Sequence, residues 1–547
     1  MNQKLENFFS HYEIFLPLIL CILFLAASLP GITWGAPALW NPDELVWRVD
    51  SALRGELKFD ETEPDWNYPS LPKYVMYFIG WVVYGMGKSS FAFIVSARVF
   101  SSILGAIAGA LIYFLARNIG IDKKYSFLAG ILYIVSGIAA ANGRFAHNDL
   151  YLQLFTILCV YCLVKYQSQK TNTWLYASFL CVGLATSSKY TGGSLMFLPV
   201  IVYITINWSE IRTNWLRMVG TLILGGIVAF VGYVIGTPKS LIDPINYFVN
   251  IMIVLDNLRS YGFNYGTRIG LFGQWGILKS TVGVFCYYLF IVSFIWISLK
   301  LLLQKTRKIF FEQKIAQAAG VFILALLIFD IPYLVSINYI DRYFIPFVPF
   351  FAILAVLFLK DLIDFASKPN WKWLQFALIS ICIIGLSYST LRLVSISLLF
   401  INDARIPATA YIATIRGYQK SIEYTLYPPL IEKRRFMRAH NYPIYFVEWI
   451  GDDVPTGGRF EYNQGEKGLL ERDTDYFVID SFTYARFGNP SVCATTPVEC
   501  DFFKRLIDGE IKSYRLLKEF TYQLPTYLPQ VRITAVNPDI LIFERAR

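Results

Sequence analysis

Residues 40–48 read W-N-P-D-E-L-V-W-R, and residues 66–74 read W-N-Y-P-S-L-P-K-Y. Between them runs an acidic stretch with Asp60, Glu61, Glu63 and Asp65. The whole is an acidic, aromatic, proline-punctuated loop. Apolar segments flank it, Ile14 to Leu29 before and Leu71 to Met86 after. Asp43 and Glu44 stand just beyond the end of an apolar run, which puts them close to a membrane surface.

Composition supports a membrane setting. Of 547 residues, 55% are hydrophobic, 17% aromatic and only 16% charged, whereas soluble domains carry about 25% charged residues. The mean hydropathy of +0.46 over this length reads as a polytopic membrane protein. A net charge of +10 could suggest nucleic acid. Its placement argues otherwise, because Lys and Arg cluster between apolar segments, as the positive-inside rule expects. Cys21, Cys159, Cys162, Cys181, Cys286 and Cys382 lie inside apolar runs, where a thiol is a small buried hydrophobe. The first apolar run lacks a small-residue cleavage site and reads as a retained helix.

About eleven spans of ~17–25 residues follow from the hydropathy. They are Ile14–Leu29, Phe91–Ala116, Phe127–Ala141, Leu150–Val164, Trp174–Ala185, Ser194–Ile206, Val219–Ile235, Ile277–Leu303, Ala316–Ile337, Phe344–Leu359 and Leu374–Phe400. Leu71–Met86, interrupted by glycines, is expected to lie along or dip into the interface. Basic turns at Lys123-Lys124 and at Lys305, Arg307 and Lys308 mark the inner side. An odd count then puts the N-terminus in the cytoplasm and residues 401–547 outside the cell (inner) membrane. Residues 1–400, including the loop 31–73, form the membrane domain.

The tail is a different material. Apolar runs of strand length, Ser421–Leu426, Pro443–Ile450, Asp475–Asp480 and Asp539–Phe543, alternate with helix-like stretches at Ala404–Arg416 and Cys500–Ile511. That alternation suggests a small α/β domain. Cys493 and Cys500 sit in its S-V-C-A-T-T-P-V-E-C loop. An extracytoplasmic location permits a disulfide between them; two unpaired thiols are the other reading.

Four polar clusters map to the outer ends of spans: Asp43-Glu44, Arg144/His147/Asp149, Lys189-Tyr190 and Asp341-Arg342-Tyr343. Each has a plain explanation: a solvated loop start, a snorkelling cation, a helix N-cap. Their convergence on one side is what favours chemistry. Glycosyl transfer from a lipid phosphate needs this mixture. A carboxylate takes the acceptor's proton, and cations such as Lys189, Arg342 and Arg98 stabilise the phosphate that leaves. His147-x-Asp149 supplies two metal ligands without a third. No motif demands a cofactor, a divalent cation stays open, and no G-x-G-x-x-G or P-loop supports a nucleotide fold.

At these residues the chain resembles the C-type membrane glycosyltransferases, the superfamily of dolichyl-phosphate-mannose–protein mannosyltransferases and bacterial aminoarabinose transferases. The carriers are P-D-E, Y-P-S-L-P-K-Y, G-R-F-A-H-N-D, S-S-K-Y-T-G-G, D-R-Y-F-I-P-F-V-P-F and, in the tail, D-Y-F-V-I-D-S-F-T-Y-A-R-F. The resemblance implies a C-type glycosyltransferase fold and a polyprenyl-phosphate sugar donor, with inversion at the sugar. It implies a glycan, lipid or protein hydroxyl as acceptor. By position it makes Asp43 the base, with Glu44 in support and Asp149 the third-loop acid beside Arg144. Lys189, Arg342 and Tyr343 fall on the phosphate side, and Arg144 and Arg98 are expected to join them there. Y-P-S-L stands where many members show an H-P-P-L-like run, and the tail is unlike MIR-type domains; both favour a prokaryotic enzyme. The rival reading is a transporter or flippase of lipid-linked sugars that makes no bond.

Overall fold

The computed structural model describes residues 13–56, 68–260, 271–307, 312–334, 340–367, 371–442 and 465–546. The acidic run at 60–65 and the expected strand Pro443–Ile450 lie outside the described residues. Helix α1 (Leu16–Ser28) leads into the first loop, which carries α2 (Val46–Leu53). Then come α3 (Leu71–Gly85), α4 (Ser90–Asn118), α5 (Lys123–Val135), α6 (Ile138–Asn142), α7 (Asp149–Gln169) and α8 (Asn172–Ser188). After a 3-10 segment, Tyr190–Met196, follow α9 (Phe197–Ile206), α10 (Ile211–Gly236), α11 (Lys239–Ile242) and α12 (Pro244–Ser260). The membrane part closes with α13 (Leu271–Val282), α14 (Val284–Arg307), α15 (Gln313–Leu334), α16 (Val348–Ala366) and α17 (Lys372–Ile401).

Among the described residues, six helices are long and apolar enough to cross a membrane: those of Ser90–Asn118, Asp149–Gln169, Arg212–Gly236, Val284–Leu303, Gln313–Tyr333 and the stretch from Lys372. Glu13–Ser28 and Tyr190–Ile206 are shorter apolar helices. Leu71–Met86, expected at the interface, is the continuous helix α3, with Phe78 and Trp81 exposed on its outer face. Two segments expected as single spans are each broken. Phe127–Ala141 divides into α5 and α6 at Gly137, and Ile277–Leu303 divides into α13 and α14 at Gly283. Both glycines have φ of +82°, a conformation that costs glycine nothing and other residues a steric clash.

Arg392 of α17 explains why the breaks hold. Its Nη1 donates to the Ser136 carbonyl at 2.8 Å, and its Nη2 to the Ser280 carbonyl at 2.7 Å and to that of Thr281. The last carbonyls of a helix have no partner within it, and the negative end of the helix dipole favours a cation. One buried guanidinium thus caps α5 and α13 together. Elsewhere helices approach closely over small residues. At Gly183 of α8 a Cβ would lie 2.0 Å from the Ala229 carbonyl oxygen of α10, so only glycine fits.

The tail opens with α18 (Arg405–Ile412) and forms a five-stranded sheet. Its strands are β1 (Ser421–Tyr424), β2 (Arg438–Asn441), β3 (Tyr476–Asp480), β4 (Tyr514–Phe520) and β5 (Ile540–Arg545), in the order β2-β1-β3-β5-β4. β1 runs parallel to β2 and β3, while β5 is antiparallel to β3 and β4. All five residues of β3 are buried, as expected of a strand covered on both faces. Ala408 and Ile412 of α18 pack on one face, against Ile422, Val478 and Ile542. On the other face lie α19 (Gly465–Glu471), the short α20 (Ser481–Tyr484) and α21 (Pro490–Thr495), and α22 (Pro497–Ile507). There Phe502, Phe503 and Leu506 of α22 bury Phe477 and Ile479. Cys493 and Cys500 are joined by a disulfide, with Cα atoms 5.4 Å apart.

Asp403, between α17 and α18, ties the tail to the first loop. Its buried carboxylate accepts from Trp34 Nε1 at 2.8 Å, from Arg405 Nη2 at 2.7 Å and from the Asn537 amide at 2.6 Å. Arg405 also donates to the Ala535 carbonyl at 2.7 Å and lies 4.5 Å from the Trp40 ring centre.

Replacing Arg392 by Met strands three carbonyls, each bonded now to a charged donor. The expected loss is about 1.5–3 kcal/mol, read as a lower melting temperature of the detergent-purified full chain. An unchanged melting temperature would show that the helix ends find other partners.

Candidate active site

The first loop begins with a turn that separates two neighbouring acids. Asn41 Oδ1 accepts from the Asp43 amide at 3.1 Å, and the Glu44 amide donates to the Asn41 carbonyl at 3.2 Å. Asn before Pro is a favoured start for such a turn. Glu44 points inward and is fully buried, while Asp43 keeps 44% of its side chain exposed.

Glu44 is held by Arg98 of α4 in a two-pronged pair, Nε to Oε1 at 2.8 Å and Nη2 to Oε2 at 2.7 Å. Arg98 Nη1 donates to the carbonyls of Ile32, at 3.1 Å, and of Trp34. Glu44 Oε1 also accepts from the Ala146 amide at 2.8 Å, and the Leu45 amide donates to the Ala146 carbonyl at 3.1 Å. The pair therefore clips the first loop to the loop 143–148. Arg144 is buried as well, donating to the carbonyls of Pro30, Ala140 and Ala27 at 2.7, 2.9 and 2.8 Å. Of the residues expected around a phosphate, Arg98 and Arg144 are thus turned to the protein's own atoms.

The others converge. Asp149 is the first residue of α7, after the N-cap residue Asn148. Asn148 Nδ2 donates to the Ser188 carbonyl at 3.0 Å, which holds the start of α7 beside the end of α8. Lys189 follows in extended conformation, φ −155° and ψ 134°. At Gly192 a Cβ would lie 2.5 Å from the Ala185 carbonyl carbon, so the glycine lets the chain fold back on α8 and turn Lys189 inward. Lys189 Nζ reaches Asp149 Oδ1 at 2.6 Å. The other carboxylate oxygen, Oδ2, has His147 Nδ1 at 2.8 Å and Arg342 Nε at 3.8 Å. Arg342 Nη2 then bonds Asp43 Oδ2 at 2.8 Å, across 299 positions of sequence.

Arg342 and Tyr343 belong to a 3-10 turn, Asp341–Phe344. A buried chain of bonds fixes that turn to α7: Gln153 Nε2 donates to the Ile345 carbonyl at 2.5 Å, and Tyr133 donates to Gln153 Oε1 at 2.7 Å. Lys189 Nζ lies 4.6 Å from the Tyr343 ring centre, and Tyr343 stacks on Tyr333 at 4.8 Å. Tyr68 packs edge-on against His147 at 5.3 Å, and Lys73 donates to the Tyr68 carbonyl at 3.2 Å. Tyr68, Lys73 and Tyr333 were not singled out from the sequence. Tyr68 and Lys73 sit in the Y-P-S-L-P-K-Y signature, so that motif was the available signal.

The electrostatics follow from this packing. With a neutral His147, two carboxylates face two cations and the cluster is neutral. Burial pushes the Asp43 carboxyl upward, but the charge of Arg342 and its hydrogen bond outweigh it and hold Asp43 below the usual carboxylate range. Burial and Arg342 push His147 down against the pull of Asp149, so its imidazole is neutral at pH 7. Among the described residues no three His, Cys, Asp or Glu side chains are grouped to hold a metal ion.

The chain is similar to known proteins in sequence and in fold. Residues 53–236 match the family of dolichyl-phosphate-mannose-protein mannosyltransferases. The chain is 24% identical over 267 residues to dolichyl-phosphate-mannose–protein mannosyltransferase 3 of Saccharomyces cerevisiae, covering 42% of this chain and 33% of that one. It is 25% identical over 229 residues to an undecaprenyl phosphate-alpha-4-amino-4-deoxy-L-arabinose arabinosyl transferase 2 of Pseudomonas fluorescens, covering 41% and 40%. The matched stretches thus span about a third of the length of the first relative and two fifths of the second. Among solved structures, the apo Archaeoglobus fulgidus oligosaccharyltransferase superposes with a TM-score of 0.54 at 11% identity, over 98% of this chain and 89% of that one. That likeness establishes the fold, a C-type glycosyltransferase fold. The resemblance read from the motifs therefore stands in both sequence and architecture.

Removing one partner of the Glu44–Arg98 pair leaves a buried charge uncompensated, at a cost of about 3–5 kcal/mol. Glu44→Gln is expected to lower the melting temperature of the full chain, whereas Asp43→Asn, at a half-exposed position, leaves it nearly unchanged. Equal melting of the two variants would remove the distinction between framework acid and site acid.

Proposed function

We propose that this protein transfers a monosaccharide from a polyprenyl-phosphate donor to a hydroxyl acceptor at the extracytoplasmic face of a membrane. The observation that carries the reading is the contact of Asp43 with Arg342, joined through Asp149 to Lys189. It sets a half-exposed carboxylate beside two cations at the end of an apolar helix bundle. A lipid-linked phosphodiester lies with its tail along the helices and its phosphate at Lys189, Arg342 and Tyr343. The acceptor hydroxyl approaches Asp43. As its oxygen bonds to the anomeric carbon, its proton passes to Asp43 and the bond to the phosphate oxygen breaks. Polyprenyl phosphate leaves with one more negative charge, which Lys189 and Arg342 offset. Attack opposite the leaving group inverts the sugar.

The resting pair has a consequence for timing. Bound to Arg342, Asp43 is a weak base. A donor phosphate competes for the same guanidinium, and its arrival frees the carboxylate and raises its basicity. Base strength and donor occupancy are thereby linked.

Two outcomes test this reading. Asp43→Asn is expected to lower transfer from a radiolabelled polyprenyl-phosphate sugar by ~10²–10⁴-fold, the usual worth of a general base, with donor affinity retained or raised, because a neutral amide competes less for Arg342. Parent-rate turnover by that variant would sink the assignment. For the pH dependence, Asp43 must be ionised to accept a proton, so activity falls as pH drops through its pKa. The acid limb of kcat/KM for the donor reports the free enzyme and is expected below the ordinary carboxylate range. The limb of kcat reports the donor complex and is expected at higher pH. Coincident limbs would mean that Arg342 keeps Asp43 throughout.

A further inference from the structure

A cavity of about 400 Å³ lies where the tail meets the membrane part. Asp341, one residue before Arg342, lines it from below with Thr281 of α13; Tyr427, Phe482, Arg486 and Arg532 of the tail line it from above. We propose that this cavity is the acceptor subsite and that it takes a saccharide, so that the tail domain chooses the acceptor. The proposal rests on the transferase reading above and names the acceptor class for it.

Position is the first argument. Tyr427 follows β1, and Phe482 follows β3, its parallel neighbour. Open sheets bind ligands beyond the carboxyl ends of parallel strands. Asp341, which lines the cavity, is followed in the chain by Arg342, whose Nη2 bonds Asp43 Oδ2 at 2.8 Å. A hydroxyl held in the cavity therefore lies one residue along the chain from the cation that holds Asp43.

Construction is the second. The buried Asp480 carboxylate accepts from Thr425 Oγ1 at 2.5 Å, from the Tyr427 amide at 3.0 Å and from the Thr483 amide at 2.8 Å. It locks the two ring-bearing turns together. Tyr427 and Phe482 meet edge to face at 5.4 Å, and the Arg486 guanidinium lies 6.0 Å from the Tyr427 ring centre. Rigid aromatic faces beside a guanidinium, a carboxylate and hydroxyls suit a sugar, whose C–H faces stack and whose rim hydrogen-bonds. A peptide fits poorly. β1 and β3 are interior strands, so no sheet edge opens here for an extended chain to join. The volume is that of a small-ligand pocket, ~300–1,000 Å³.

The test uses the full chain in lipid nanodiscs. Saturation-transfer NMR with a panel of neutral, uronic and phosphorylated hexose disaccharides, and with a Ser/Thr-rich hexapeptide, reads binding directly. Radiolabelled transfer to a glycolipid fraction and to a lipid-free polysaccharide fraction tells which carrier brings the sugar; transfer to either supports the subsite. Tyr427→Leu and Arg486→Gln, at unchanged melting temperature, are expected to weaken disaccharide binding and raise acceptor KM about tenfold, with donor affinity unaltered. Asp43→Asn should keep disaccharide binding while losing transfer. Disaccharide binding or acceptor KM indifferent to both tail variants, or a hexapeptide signal that depends on Tyr427, overturns the subsite. Parent-rate transfer by Asp43→Asn would overturn the reaction reading alone.

Discussion

The carboxylate of Asp149, 2% exposed, holds the site together. A charge so buried persists only when paired and hydrogen-bonded. Here one oxygen takes Lys189 and the other faces His147 and Arg342. The position at the first turn of α7 adds the positive end of the helix dipole. Each partner comes from a different part of the chain, so neutralising this one group obliges the loop 143–148, the end of α8 and the 3-10 turn at 341–344 to meet. Asp43 is attached last, through Arg342, and is the member left in contact with solvent.

The framework around it uses the same physics with opposite purpose. Glu44 and Arg98 are satisfied by one another and by nearby backbone groups, and they fix the two loops that carry Asp43 and His147. Arg144 and Arg392 have carbonyls for partners, and each gathers helix ends that would otherwise be unmet. Asp403 and Arg405 do this at the junction, where a tail that folds around its own sheet is pinned to Trp34 and Trp40 of the first loop.

Much of this was legible in the sequence, and the remainder was hidden for physical reasons. Hydropathy marks most of the long helices, and the polar clusters at their ends contain every member of the Asp149 network. Sequence does not distinguish an arginine that meets a phosphate from one that caps a helix. Arg98, Arg144 and Arg342 all stood among the phosphate candidates, and only the fold separates them. Gly137 and Gly283 read as ordinary residues of apolar runs until Arg392, more than a hundred positions away, supplies the reason to break there. β2, with the sequence R-A-H-N, and β4 are edge strands, so they lack the buried apolar pattern that marked β1, β3 and β5. Tyr427 and Phe482 stood in the tail as ordinary aromatics. Their meeting depends on strand order, which no local pattern encodes.

On the proposed reading, the turn D-R-Y-F at 341–344 is one short element that serves two substrates. A 3-10 turn has three residues per revolution, so consecutive side chains leave it about 120° apart. Asp341 therefore faces the cavity under the tail, Arg342 the two acids, and Tyr343 the ammonium of Lys189. A strand at this place would set neighbours on opposite faces, two directions rather than three. A helical turn thus divides three adjacent side chains among three surroundings, as a strand does not. If donor and acceptor reach Asp43 from different sides, as the proposal requires, the element between them has to present a different group to each. This is the segment of the fold that does so, and its bond to Gln153 keeps both presentations in register with Asp149 on the same helix.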